Sequence, residues 1–303
     1  MNDLPPDLFQ DLQAFIETKD RFEFLRDWLL RCGITGRKIE LHGHRHLLVR
    51  FNQHNYSPYE KTKVFVAHYD RVPGTPGAND NSAAVFQLLC HAGRTSQAPT
   101  HNNLQILFTD GEELLEGTHP NKQGSYLLSM LLREQGVKNC RFYVFDMCGI
   151  GDTVAIGGAG SLLLQQARRD GLIPASFYNF AIGELQQTAA QIREFQGRPA
   201  DWIYSSFSDD LGLLLGGYPA ACISVLPTAE AALAHQNWQE VMKNESAMMS
   251  LKKGYLNPNF QKVIHAMLPQ TWKTWHSPAD RIELLEKRAF ILMENFLTFL
   301  TEY

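Results

Sequence analysis

Short apolar runs alternate along this chain with segments of helical spacing, and this alternation most strongly limits how it can fold. Buried parallel strands have such continuous apolar runs, and helices connect them. The pattern predicts an α/β fold with a mixed, mostly parallel central sheet flanked by helices. Sites in open sheets of this class form at the carboxyl ends of the strands. Polar residues follow three runs at this point: His68 after Val64–Ala67, Glu112 and Glu113 after Leu104–Phe108, and Asp146 after Arg141–Phe145.

Other segments carry weaker local patterns. Apolar residues at helical spacing predict helices over 8–31, 82–92, 125–135, 161–169 and 282–300, and strand-like patterns mark 38–51 and 220–226. Residues 228–270 mix helical stretches with a turn, and we interpret them as a helical insertion that could cover a site. No linker or internal repeat divides the chain, so we expect a single domain over 1–303.

Charge and composition exclude several classes of protein. The 303 residues contain 28 Lys and Arg against 32 Asp and Glu, a formal net charge of −4, which does not suit a protein that neutralises nucleic-acid phosphates. No apolar stretch is long enough to span a membrane, and the first residues do not resemble a signal peptide. The five cysteines form no Cys-x-x-Cys pair and suggest reduced, buried thiols. We therefore expect a cytoplasmic protein without nucleic-acid or membrane partners; the oligomeric state is not predicted.

The first candidate site residues are His68 and Asp70, two positions apart after an apolar run. A metal-binding imidazole needs its second nitrogen held, commonly by a carboxylate. A single loop histidine is more often only solvated, so this pair alone predicts little.

Two acidic motifs follow. Asp80 lies in Gly77–Ser82, whose residue types equally suit a turn that begins a helix. Glu112 and Glu113 are adjacent, which is common on surface loops. Two neighbouring carboxylates directly after a buried strand can also have different roles: one can bind a cation, and the other can accept a proton from water.

Asp146 and His276 complete the set. Asp146 ends a predicted strand, and His276 precedes a predicted helix that Ser277 or Asp280 could cap. Taken together, the motifs offer two imidazoles, three carboxylates as ligands and one further carboxylate as a base. Zinc accepts imidazole and carboxylate ligands, and a shared aspartate between two ions about 3.5–4 Å apart is typical of two-metal hydrolases.

Four stretches carry a family resemblance: VFVAHYDRVPGTPGANDNSAA, LFTDGEELLEGTHPNKQGSYL, FDMCGIGD and TWHSPAD, in this order between Val64 and Asp280. In this combination the chain resembles the co-catalytic di-zinc aminopeptidases and their glutaminyl cyclase relatives. The resemblance implies a zinc exopeptidase-like fold and two Zn²⁺ ions per chain. It implies that Asp80 bridges the ions, that His68 and Asp146 complete one site and Glu113 and His276 the other, that Asp70 orients His68, and that Glu112 is the general base.

The chain departs from the family at one block. Where the family often has Asp-His after Ser or Asp, this chain has Ser208-Asp209-Asp210-Leu211. Asp209 or Asp210 could contact a substrate amine, or could cap a helix that begins at Leu211.

Two further groups of residues each have two interpretations. His42, His44 and His46 would share one face of a strand, but no carboxylate motif accompanies them, so we interpret them as an exposed face. Trp272 and Trp275 could line a substrate pocket, and core packing suits at least one of them equally well.

The function that these motifs favour is removal of N-terminal amino acids from small peptides by a di-zinc aminopeptidase. One alternative is a glutaminyl cyclase with a single zinc ion, held by Asp80, Glu113 and His276. Another is a peptide-binding scaffold without catalysis. Carboxypeptidases and deacylases with a dimerisation domain fit less well, because their inserted domain has no counterpart here.

Overall fold

The strands of the central sheet follow the apolar runs of the sequence. The computed structural model describes residues 7–51, 56–97, 103–113, 120–205, 208–244 and 267–303, together with Pro5, Val263 and Ile264. Its strands are β1 (Gly36–Leu41), β2 (His44–Arg50), β3 (Thr62–His68), β4 (Leu104–Thr109), β5 (Cys140–Phe145), β6 (Thr153–Gly157), β7 (Asp201–Ile203) and β8 (Ala220–Leu226).

These strands form one mixed sheet in the order β1-β2-β4-β3-β5-β8-β6-β7. The centre is parallel, because β3 pairs in parallel with both β4 and β5, and β5 pairs in parallel with β8. Strands β1, β2 and β6 add antiparallel pairings toward the edges. The predicted α/β class and the mixed sheet with a parallel centre are confirmed.

Helices cover the sheet. The helices in the described ranges are α1 (Leu8–Glu17), α2 (Arg21–Arg31), α3 (Ala83–Gln97), α4 (Gly124–Glu134), α5 (Ala159–Arg169), α6 (Ala175–Gln196), α7 (Asp209–Leu215), α8 (Thr228–Lys243) and α9 (Lys287–Glu302). Every residue of β5 is buried, as expected for a strand covered on both faces. None of the described helices is both long enough and apolar enough to cross a bilayer.

Two predicted elements are each divided in the structure. The helix expected over 8–31 is interrupted at 18–20, where Thr18 is extended and the Asp20 carboxylate accepts a hydrogen bond from Glu23 N, so that α2 starts anew. The strand expected over 38–51 is a hairpin of β1 and β2. Its turn residues His42 and Gly43 have positive φ angles of 51° and 89°, which reverse the chain.

The C-terminal predictions need smaller corrections. The helix expected from 282 begins at Lys287, after a 3₁₀ turn over Ile282–Leu284. In the expected insertion over 228–270, α8 forms one continuous helix, while residues 245–262 lie outside the described part of the chain. That 1–303 is one domain, and that the insertion covers a site, stay predictions.

Candidate metal centre

Three strand ends bring the predicted site residues together. His68 is the last residue of β3, and Asp146 directly follows β5. In the ladder, His68 lies opposite Thr109 at the end of β4, so the loop that carries Glu112 and Glu113 starts beside it. The parallel register therefore places polar residues from three separate segments at one edge of the sheet, as the sequence predicts.

The first group of donor atoms surrounds His68, whose side chain is almost fully buried. Its Nε2 lies 3.3 Å from Asp80 Oδ1 and 3.7 Å from Asp146 Oδ1. Asp80 belongs to the irregular turn Ala78–Ser82 that leads into α3.

The second group surrounds His276, which comes from a loop near the C-terminus. Its Nε2 lies 3.3 Å from Asp80 Oδ2 and 3.1 Å from Glu113 Oε2. Asp80 thus turns one carboxylate oxygen to each histidine, as a bridging ligand between two ions does.

The donor set fits zinc. Four ligands about 2.0–2.1 Å from a tetrahedral ion lie about 3.3 Å from one another, close to the separations in both groups. His68 Nε2 and Asp146 Oδ1 are buried without a hydrogen-bond partner in the described structure, and buried polar atoms of this kind call for a bound partner. Atoms of His68, Asp80 and Glu113 also lie within 4.8 Å of one another in an arrangement that could hold a metal ion.

The other ring nitrogen of His68, Nδ1, faces Asp70. Asp70 Oδ1 lies 3.6 Å from His68 Nδ1, and Asp70 Oδ2 accepts a hydrogen bond of 3.0 Å from Glu113 N. This carboxylate therefore contacts both a predicted ligand and the backbone of another.

Glu112 lies in the same loop but contacts neither histidine at ligand distance. The residue is buried, and its Oε1 accepts a hydrogen bond of 3.3 Å from Gln123 Nε2, just before α4. Burial and the negative charges of Glu113, Asp146 and Asp209 raise the pKa of Glu112 well above its usual range, although His68 opposes them. No sequence pattern points to Gln123, because its contact with Glu112 depends on how α4 packs.

Most of the ionisable groups in the site are carboxylates, and they raise the pKa of both imidazoles. Hydrogen bonds to Asp80 and Glu113 raise the pKa of His276 to about 10. Burial opposes protonation of His68, but Glu112 and the carboxylates of Asp146, Asp70 and Asp80 still raise the pKa of that imidazole. A cation bound here would replace those protons and satisfy the same carboxylates.

Asp280 supports the Asp80 turn. Its two carboxylate oxygens accept hydrogen bonds from Asn79 N at 2.8 Å and Asp80 N at 3.1 Å. The sequence interpretation of Asp280 as a cap of the C-terminal helix was wrong: α9 begins seven residues later, at Lys287, and Asp280 instead holds the backbone of Asn79 and Asp80.

Asp209 and Asp210 lie in the first turn of α7, next to the candidate metal centre. Asp209 accepts a hydrogen bond from Thr109 Oγ1, and burial raises the pKa of Asp209 to about 6. Asp210 is also buried, and burial followed by the charge of Asp146 raises its pKa well above the ordinary range. Helix α7 starts before Leu211, so neither aspartate caps a helix beginning there.

The three alternating histidines do not share a strand face. His42 is in the hairpin turn, whereas His44 and His46 lie on β2 with ring centroids 6.4 Å apart. Trp272 packs in the core with Met147 and Leu226, while Trp275 stacks on His276 with centroids 4.9 Å apart and an angle of 11°. Trp275 therefore touches the site, and Trp272 is a core residue.

Comparisons with known proteins identify a family and a fold. The sequence model of peptidase family M28 matches residues 47–211, more than half of the chain. The structure is similar to the LapA aminopeptidase of Legionella pneumophila, with a TM-score of 0.59 and 14% identity over 98% of this chain and 72% of that one. It is also similar to glutaminyl cyclase of Porphyromonas gingivalis, with a TM-score of 0.57 and 17% identity over 98% of this chain and 97% of that one.

A third similar structure is Bacteroides thetaiotaomicron glutaminyl cyclase bound to N-acetylhistamine, with a TM-score of 0.58 and 16% identity over 99% and 98% of the two chains. At these identities the likenesses show a common fold. A search of curated protein sequences gave no match.

Proposed function

The chain belongs to peptidase family M28, and we propose that it is a zinc-dependent aminopeptidase that removes N-terminal amino acids from small peptides. One observation carries the proposal. Two groups of donor atoms share Asp80, while the carboxylate of Glu112 lies beside them and is not part of either group. Hydrolysis assisted by two metal ions needs both features: a bridged ligand set and a separate base.

In this proposal, the ligands divide along the two donor groups. His68, Asp80 and Asp146 would hold one zinc ion, and Asp80, Glu113 and His276 would hold the second. Bound zinc is a Lewis acid that polarises a peptide carbonyl and lowers the pKa of water. Asp70 keeps the His68 ring oriented through its Nδ1 side, and this second contact is what a ligating imidazole needs.

Glu112 is the proposed general base. Its carboxylate lies beside both donor groups but belongs to neither, so it is available to accept a proton from the attacking water and then to deliver it to the nitrogen of the leaving amine. Gln123 holds one oxygen of this carboxylate, which fixes its direction in the site.

The preference for a free N-terminus follows from charge. Five carboxylates lie around the two histidines: Asp70, Asp80, Glu112, Glu113 and Asp146. A protonated substrate α-amine would be attracted to the part of this negative charge that the metals leave uncompensated. Such an anchor places the first peptide bond of the substrate at the reacting centre, so hydrolysis removes one residue at a time.

A second candidate function is cyclisation of N-terminal glutamine with a single zinc ion. His276 lies 3.1–3.3 Å from Glu113 and Asp80, whereas the His68 to Asp146 separation is 3.7 Å. The tighter group is the ligand set of the cyclase alternative. A single ion on these three residues would leave His68 and Asp146 without a metal.

Paired substrates separate these functions. Zinc-loaded protein is incubated with Leu-Gly-Gly, with its N-acetylated form and with a peptide that begins with Gln, and the products are identified by mass spectrometry. We expect free leucine from Leu-Gly-Gly and none from the acetylated peptide. Pyroglutamate formation with loss of ammonia, without release of amino acids, would establish the cyclase instead. Binding of the peptides without any product would identify a non-catalytic scaffold.

A further inference from the structure

Strand β2 contacts the loop that carries Glu112, although it lies outside the metal-binding edge. His46 Nδ1 accepts a hydrogen bond of 3.2 Å from Asp110 N, and Arg45 N donates one of 2.8 Å to Asp110 Oδ2. Asp110 and Gly111 form the turn between the end of β4 and Glu112. Side-chain and backbone atoms of β2 therefore hold the first residue of this turn.

His44 packs against the second residue of the turn. A Cβ atom on Gly111 would lie only 2.3 Å from His44 Cε1 and Nδ1, so the imidazole sits directly on the glycine backbone. Gly111 also has a φ of 75°, a conformation that side chains disfavour. Only glycine permits both the conformation and the close contact with His44.

Helix α4 holds the turn from another direction. Gly124 N donates a hydrogen bond of 2.9 Å to Gly111 O, and a Cβ on Gly124 would lie 1.8 Å from Asp110 O. A Cβ at that position would also lie 3.0 Å from His46 Cε1. The turn is thus enclosed between the β2 histidines and the first residue of α4.

The contacts of β2 also reach the other metal-binding segment. Tyr69, between His68 and Asp70, donates its hydroxyl proton to Arg45 O. Arg45 therefore contacts both segments of the site, while His44 and His46 contact the Asp110–Gly111 turn. His46 remains a hydrogen-bond acceptor because burial lowers the pKa of its imidazole to about 4.

We propose that His46, supported by His44, is a positioning residue for Glu112: the two imidazoles fix the Asp110–Gly111 turn and thereby the place of the base relative to the ligands. The role in catalysis rests on the proposed hydrolytic function. The structural part of the proposal, that these rings hold the turn, does not. No hydrogen bond or ion pair in the described structure joins either ring to a proposed metal ligand, so this pair acts through the backbone.

The test uses His46→Leu, which removes the acceptor, and His91→Leu as the matched control. His91 is also a buried histidine, but it lies on α3 and bonds to Thr301. Hydrogen-exchange mass spectrometry of the zinc-loaded protein follows peptides within 104–113. We expect faster exchange there in His46→Leu and no change there in His91→Leu. Unchanged exchange in His46→Leu would overturn the proposal whether or not the protein is a peptidase.

Activity supplies the second measurement. We expect His46→Leu to lower kcat for Leu-Gly-Gly about tenfold with KM and zinc content preserved, since small displacements of a catalytic group are costly. In a Glu112→Gln background the same substitution should have no further effect. An equal loss in both backgrounds would show a general structural effect and contradict positioning of Glu112.

If His46→Leu does not fold, both measurements are made on the milder variant His44→Ala, for which we expect smaller changes in exchange and in kcat. A wild type that hydrolyses no peptide would refute the proposed function alone.

Discussion

The two halves of the candidate metal centre are built in different ways. His68 ends a central strand and only 1% of its side chain is exposed, whereas 47% of the His276 side chain is exposed. The backbone of His68 is fixed by ladder pairing to β4. His276 lies in a loop with a φ of 51° and stacks on Trp275.

This difference shows how one site can combine a rigid and an adjustable part. The His68 half is set by the sheet and changes only if the core changes. The His276 half depends on a few local contacts, and it is the half that solvent reaches. Asp80 joins them, because its two oxygens face the two histidines.

The largest expected effect belongs to neither half. Glu112→Gln removes the proposed base but none of the proposed ligands, so we expect both metals to be retained and kcat to fall by about 10²-fold or more. Zinc analysis and peptide hydrolysis check this, with the exposed Glu134→Gln as control. Turnover close to that of the wild type would remove Glu112 from the mechanism.

The next effect tests whether Asp80 couples the halves. Asp280→Asn leaves one carbonyl oxygen to accept the two N–H groups of Asn79 and Asp80. Residues that orient ligands typically contribute about 10–100-fold to metal affinity or activity, and we expect a loss in this range. Zinc titration should show weaker binding at both sites, with no change in the surface variant Asp170→Asn. Weaker zinc binding at one site alone would mean that Asp80 is not a ligand shared by both sites.

The smallest effect is confined to the exposed half. Trp275→Ala removes the ring that stacks on His276, and aromatic pairs contribute about 0.5–1.5 kcal/mol, which is about 2–10-fold in affinity. We expect the zinc site that contains His276 to lose affinity by this factor and the site that contains His68 to remain unchanged. Trp275→Phe keeps a stacked ring and should stay within about twofold of the wild type. Equal weakening of both sites would contradict the division into two halves.

The sequence predicts the rigid half far better than the adjustable one. Buried strands are visible as apolar runs, and parallel strands bring their ends together. Both ligands that are particular to the rigid half, His68 and Asp146, could therefore be placed at one edge from the residues alone, as could the Glu112–Glu113 loop. The residues around His276 and Asp80 suggested only a turn or a helix start. Their assignment depended on the family resemblance, because a loop far along the chain carries no local sign of its spatial neighbours.

Helix α6 illustrates a different limit. Its buried face includes Glu184, Thr188 and Gln191, so the apolar periodicity that reveals other helices is obscured. The hairpin turn at His42 and Gly43 was missed because the alternating pattern continues on both sides of it. Gln123, Asp280 and His46 act through tertiary hydrogen bonds, which no local pattern predicts.

Zinc anomalous scattering from crystals of the zinc-loaded protein tests the central claim most directly. We predict two peaks about 3.5–4 Å apart, one beside His68 and Asp146 and the other beside Glu113 and His276, with Asp80 between them. A single peak on Asp80, Glu113 and His276, or zinc bound elsewhere, would contradict the two-metal site.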